Sequence, residues 1–130
     1  CVDNNSIVQC VKDNDIAYAA PGVNNDGIQV ECAGYANQTR TQWLDEYSRM
    51  VLNRAAMAVS QYLLKYDLPV VHLSNEDLGN GGMGIIGHAQ ASQVYKRSTH
   101  TDPGVNFPWD YFMKLVVAYH AARKALYGVA

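Results

Sequence analysis

Residues 84–92 read Gly-Ile-Ile-Gly-His-Ala-Gln-Ala-Ser, and residues 100–109 read His-Thr-Asp-Pro-Gly-Val-Asn-Phe-Pro-Trp. The first stretch sets His88 just after a glycine-rich loop, 79–84, and the apolar pair Ile85-Ile86. The second sets His100 two residues before Asp102, which opens the tight turn Asp102-Pro103-Gly104. Both histidines fall at the ends of predicted elements, where scaffolds present functional groups. Imidazole nitrogen and carboxylate oxygen are both zinc donors. Spacing alone does not make a metal motif of them, and incidental loop histidines stay open as the alternative.

Outward from these stretches the chain alternates short extended segments with long helical ones. Residues 6–11 and 27–33 alternate apolar and polar as half-buried strands do. In the second, Ile28, Val30 and Cys32 share one face, and Gln29, Glu31 and Ala33 the other. Residues 69–73 read as a short buried strand. The clearest helix spans 41–66, with Trp43, Tyr47, Met50, Val51, Ala55, Ala58, Val59 and Tyr62 at helical spacing. Thr39 or Thr41 can cap it, with Asp45 and Glu46 in an early turn. Residues 74–78 make one helical turn, and 107–127 form a second long helix with Pro108 in its first turn and Gly128 past its end. This order predicts one α/β domain over 1–130, a central mixed β-sheet flanked by the two long helices.

Composition bounds the function. At 130 residues, 48% hydrophobic and 17% charged, the chain can bury a core and is not disordered. Ten basic against 12 acidic residues leave a formal charge of -2, so bulk electrostatics favours neither nucleic acid nor an anionic membrane. The apolar runs fall short of a bilayer span. Cys1, Cys10 and Cys32 contain no C-x-x-C pair, which excludes a zinc ribbon; buried thiols and a Cys10–Cys32 disulfide both stay open. The glycine-rich loop lacks the lysine of a P-loop, and no G-x-S-x-G elbow is present. His72, in V-V-H-L, and His120, in the last helix, read as structural or surface residues. Glu31 on the polar face of its strand is either a solvated residue or a general base aimed into a cleft.

With these residues on the page, the pairing G-H…D-P-G-x-x-F-P-W resembles the zinc-binding half of the type 2 N-acetylmuramoyl-L-alanine amidases, which include phage endolysins, cell-wall recycling amidases and peptidoglycan recognition proteins. The strand G-I-Q-V-E-C-A-G resembles the family's G-I-G-I-E strand, and residues 3–22 resemble the hairpin before it. The resemblance covers nearly the whole chain in the family's order. It implies an amidase-2 fold and hydrolysis, at the bacterial cell wall, of the amide between N-acetylmuramic acid and L-alanine in peptidoglycan. It further implies Zn²⁺ held by His88 and Asp102, Glu31 as the catalytic carboxylate, and His100, at a position often Lys, facing the oxyanion. Tyr35 and the 79–84 loop become candidate groove walls.

Two departures accompany the resemblance. The family's first zinc histidine comes from a strand upstream of the hairpin, and no histidine precedes His72 here. The family's A-W-H-A histidine is Ala19 here. Two ligands where a catalytic zinc takes three predict weak metal binding by this chain alone. They also predict a chain truncated at its N-terminus, completed by a separate N-terminal segment. The alternative implied is a non-catalytic peptidoglycan-binding module that has lost zinc.

Overall fold

Residues 41–66 do form the helical scaffold, but as two helices. Thr39 Oγ1 accepts from the Gln42 N–H, and the Gln42 side chain accepts from the Thr39 N–H, which starts α1 (Arg40–Trp43). Asp45 then accepts from the Ser48 N–H at 2.7 Å and starts α2 (Glu46–Lys65). An aspartate carboxylate outcompetes the helix for free backbone N–H groups, so it opens a new helix instead of lying within one. Ser74 caps α3 (Asn75–Gly79), Gly87 precedes α4 (His88–Tyr95), and α5 (Trp109–Tyr127) ends at Gly128 with φ 63°. The computed structural model describes residues 1–128 in this way.

The core lies between α2 and α5. Ala55 and Ala56 are fully buried and let α5 approach closely, while Leu52, Leu63, Phe112 and Val116 fill the seam. The buried stripe is not the one the spacing predicts: Tyr47 and Met50 are exposed, and Leu52, Ala56 and Leu63 are buried in addition to Val51, Ala55 and Ala58. A phase counted from Trp43 does not survive the restart at Asp45. Phe107 plugs one end of the core, edge-on to Trp43 at 5.1 Å, to Trp109 at 4.7 Å and to Phe112 at 5.6 Å.

The predicted central mixed sheet is absent: among the described residues the extended segments meet only in isolated bridges, Val2 with Ile7, Val2 with Cys32, and His72 with Ile85. Segment 27–33 pairs through Val2 alone, whose N–H donates to Glu31 at 2.7 Å and whose carbonyl accepts from Ala33 at 2.8 Å. In 69–73, Pro69 lacks an N–H and its carbonyl takes the Val71 N–H, so the segment closes on itself after one bridge. Alternation records that a segment has two faces. A sheet also needs a second neighbour along several residues, and none of these segments has one. The fold is therefore helical, with irregular segments laid on the α2–α5 core. Val30 and Cys32 still pack against that core, as their shared face predicts.

The three cysteines are free, and no Cys10–Cys32 disulfide forms. Cys10 Sγ lies 3.5 Å from Cys1 Sγ instead, while burial pushes the Cys32 thiol up to about 11. No helix of the described residues is long and apolar enough to cross a membrane.

Two carboxylates tie the helices at the surface. Asp110, in the first turn of α5, takes both Nη atoms of Arg40 at 2.8 Å, and the guanidinium holds its carboxyl down to about 2. Asp13 pairs with Lys65 and accepts from the Tyr62 and Tyr66 hydroxyls, and these partners hold it below its ordinary 3.8.

Phe107→Ala is expected to lower the unfolding free energy by about 3–5 kcal/mol in a denaturant titration; a loss under about 1 kcal/mol would show that Phe107 does not hold the core. Both ion-paired carboxylates have folded-state pKa values below their unfolded ones. Their contribution is full above the ordinary 3.8 and is lost as pH falls through the lower folded values, about 2 for Asp110. The melting temperature should therefore drop between about pH 4 and pH 2, and Arg40→Ala should make that drop shallower.

Candidate metal centre

The site begins where α4 begins. A Cβ on Gly87 would stand 2.8 Å from Pro103 Cδ and 3.2 Å from Trp109 Cζ2, so only glycine lets the helix start press against the Asp102-Pro103 turn. The Ala89 N–H, in the first turn of α4, donates to the Asp102 carbonyl at 2.8 Å. Gln90 fixes the other side. Its Oε1 accepts from the Gly87 N–H at 2.9 Å, and its Nε2 donates to the Leu73 carbonyl at 2.7 Å. Those one-way partners orient the amide, so His72 Nε2, 2.9 Å from the same Oε1, is a donor. His72 stacks on Trp109 at 3.8 Å, and Trp109 in turn meets Phe107. The start of α4 is thereby joined to the core.

This framework brings three of the four sequence candidates together. His88 Nδ1 lies 3.3 Å from Asp102 Oδ2, and His100 Nδ1 lies 3.4 Å from Asp102 Oδ1. The two imidazoles stack at 4.5 Å, 9° from parallel. One donor atom from each residue falls within 4.8 Å of the others. The far nitrogen of His88, Nε2, lies 3.3 Å from Ser98 Oγ, which also contacts Ser92 Oγ. His88 is held at the inner end, its side chain 11% exposed, whereas His100 is 65% and Asp102 47% exposed. His100 and Asp102 thus stand open to solvent, with His88 largely covered.

Two imidazoles and one carboxylate are a donor set suited to zinc, which takes nitrogen and oxygen together. Calcium or magnesium would call for oxygen alone. The residues present therefore fit a zinc ion. The polar partner at the outer nitrogen of His88 is the arrangement that orients a histidine ligand.

Glu31 is not among the grouped donors. Its side chain is exposed, opposite Val30 and Cys32, and its backbone carbonyl is held by the Val2 N–H. The segment that follows runs toward the cluster. A Cβ on Gly104 would lie 1.8 Å from the Ala36 carbonyl oxygen, so residue 36 presses on the turn two residues past Asp102, and Gly104 adopts φ +95° there. Tyr35 is 77% exposed beside that contact. His120 lies on α5, outside the group.

Sequence reasoning missed Gln90, Ser98 and the role of His72. Gln90 had a readable signal, since Gln three residues after an N-cap is half of a capping box. Ser98 and His72 had none, because both act across the fold.

The family model for N-acetylmuramoyl-L-alanine amidase matches residues 1–105, a span that includes Glu31, His88, His100 and Asp102. No curated protein and no solved structure matches the chain. Gly87→Ala should force the α4 start away from Pro103 and cost about 1–3 kcal/mol in an unfolding titration. Unchanged stability would mean that the contact yields freely.

Proposed function

We propose, from the premise that the chain belongs to the N-acetylmuramoyl-L-alanine amidase family, that it hydrolyses the amide between N-acetylmuramic acid and L-alanine in peptidoglycan. It does so with a zinc ion held at His88 and Asp102. The observation that carries this reading is the grouping of His88, His100 and Asp102 donor atoms within 4.8 Å, with His100 and Asp102 open to solvent. A bound zinc ion would acidify a water and polarise the amide carbonyl.

The chain's own residues supply the rest. Ser98 and the Asp102 backbone hold His88 and the α4 start in register. Glu31, from the segment that leads to Ala36 and the Gly104 turn, would take the proton of the attacking water and return it to the leaving amine of L-alanine. Tyr35 and the exposed Met83 of the glycine-rich loop offer walls for the glycan and stem peptide. On this reading the chain acts at the bacterial cell wall, in the manner of an endolysin catalytic domain.

The test is incubation of the chain with muropeptide and Zn²⁺, scoring newly freed L-alanine amine. Glu31→Gln should lower kcat by about 10²–10⁴ with zinc affinity unchanged. His88→Ala should lose zinc and turnover together. Muropeptide binding with neither metal nor turnover would sink the enzyme reading and favour a binding module.

A further inference from the structure

The three cysteines fall into a pair and a single residue. We propose that Cys1 and Cys10 are an oxidisable pair that closes to a disulfide by exchange with a small-molecule disulfide, stapling residues 1–10 while Cys32 stays a thiol. The inference does not depend on the amidase reading.

The backbone brings the pair together. Asp3 Oδ1 accepts from the Asn5 and Ser6 N–H groups at 2.7 and 2.6 Å, which turns the chain back on itself. Cys1 and Val8 then face each other: the Cys1 nitrogen donates to the Val8 carbonyl, and the Val8 N–H to the Cys1 carbonyl, both at 2.9 Å. Cys10, two residues beyond Val8, sets its Sγ 3.5 Å from Cys1 Sγ. Both cysteines are exposed. A disulfide bond is about 2.0 Å long, so each sulfur has less than about 1 Å to travel. Exposed side chains have the room to turn that far.

Cys32 stands apart by environment. It packs against the core opposite Glu31, and burial pushes its thiol up to about 11. The thiolate is the attacking species in exchange, so Cys32 is the slow partner. The step balances without any other reagent. One thiolate of the pair attacks a disulfide such as oxidised glutathione and releases one glutathione thiolate. The second thiolate attacks the mixed disulfide and releases the other. The pair loses two electrons and two protons, and the glutathione disulfide is reduced to two thiols. The pair is therefore open where thiols are kept reduced and closed in an oxidising surrounding.

The staple has a structural consequence. Val2, next to Cys1, is buried and is the tie between this turn and segment 27–33. Its N–H holds the Glu31 carbonyl and its carbonyl holds the Ala33 N–H. Closing residues 1–10 into a ring removes freedom from the open state of that tie. Oxidation at Cys1 and Cys10 thus steadies the segment that carries Glu31.

The experiment is to reduce the full chain, incubate it with oxidised glutathione, and read mass and amide exchange. Trypsin separates the pair from the single residue, because peptide 1–12 carries Cys1 and Cys10 and peptide 13–40 carries Cys32. Peptide 1–12 should become two hydrogens lighter, and peptide 13–40 should keep a free thiol. In Cys1→Ser and Cys10→Ser, peptide 1–12 should instead carry one glutathione. Oxidation of the wild type should slow exchange of the Val8 and Ala33 amides by about tenfold or more. The same oxidant should leave those rates unchanged in Cys10→Ser. Two glutathiones on peptide 1–12, a bond to Cys32, or disulfide-linked dimers in place of the internal bond would overturn the pairing. An internal bond with unchanged amide exchange would overturn the staple.

Discussion

Phe107 is the constraint on which core and site both depend. It stands edge-on to Trp43 at the end of α1 and to Phe112 in α5, closing the helical seam. It also meets Trp109, which stacks on His72 and stands against Gly87 at the start of α4. The residue that completes the hydrophobic core thus also sets the height of the turn carrying Asp102. Edge-to-face aromatic contacts add geometric preference to their burial. A linked set of them transmits position better than aliphatic packing, which tolerates sliding. The segment from His100 to Trp109 is both wall of the core and bearer of two of the grouped side chains, His100 and Asp102.

What was legible in the sequence follows from range. The helical run from α1 to α2 and helix α5 were legible because periodicity and end signals are local: Thr39 caps α1, and Gly128 ends α5 with positive φ. The Asp102-Pro103-Gly104 turn was legible for the same reason. The sheet was not, because strand alternation at 6–11, 27–33 and 69–73 says nothing about neighbours, and each segment found a single bridge. The buried stripe of α2 slipped because Asp45, read as an early-turn charge, restarts the helix and resets the phase. Helix α4 was hidden in a polar run, since its start is fixed by Gln90 and by the Gly87 approach to Pro103, not by an apolar face.

The candidate site divides the same way. His88, His100 and Asp102 were singled out from two short motifs, and the fold brings them to one place. Glu31 was singled out from a strand pattern. It stands outside that group, linked to it by the run to Ala36 and the close approach at Gly104. That approach has a sequence trace in the Pro-Gly pair, but its partner, the Ala36 carbonyl, has none. His72 illustrates the limit: a histidine in an apolar run reads as structural, and it is, yet its stacking on Trp109 and its bond to Gln90 are what support the start of the site.

Locality has an energetic consequence for the grouping of His88, His100 and Asp102. The entropic cost of bringing chain segments together grows as about (3/2)RT ln n, so side chains drawn from residues 88–102 close a short loop. Much of that closure is already made without an ion, by the Ala89 N–H on the Asp102 carbonyl and by Ser98 on His88. A site assembled from distant strands depends on the whole fold for its geometry. This one depends on one helix start and one turn, both anchored through Trp109 to Phe107. Its inner histidine, His88, is largely covered and meets Ser98, while its outer histidine, His100, is exposed. Absence of the predicted sheet therefore leaves the grouping of His88, His100 and Asp102 intact, because these side chains do not rely on strand pairing to meet.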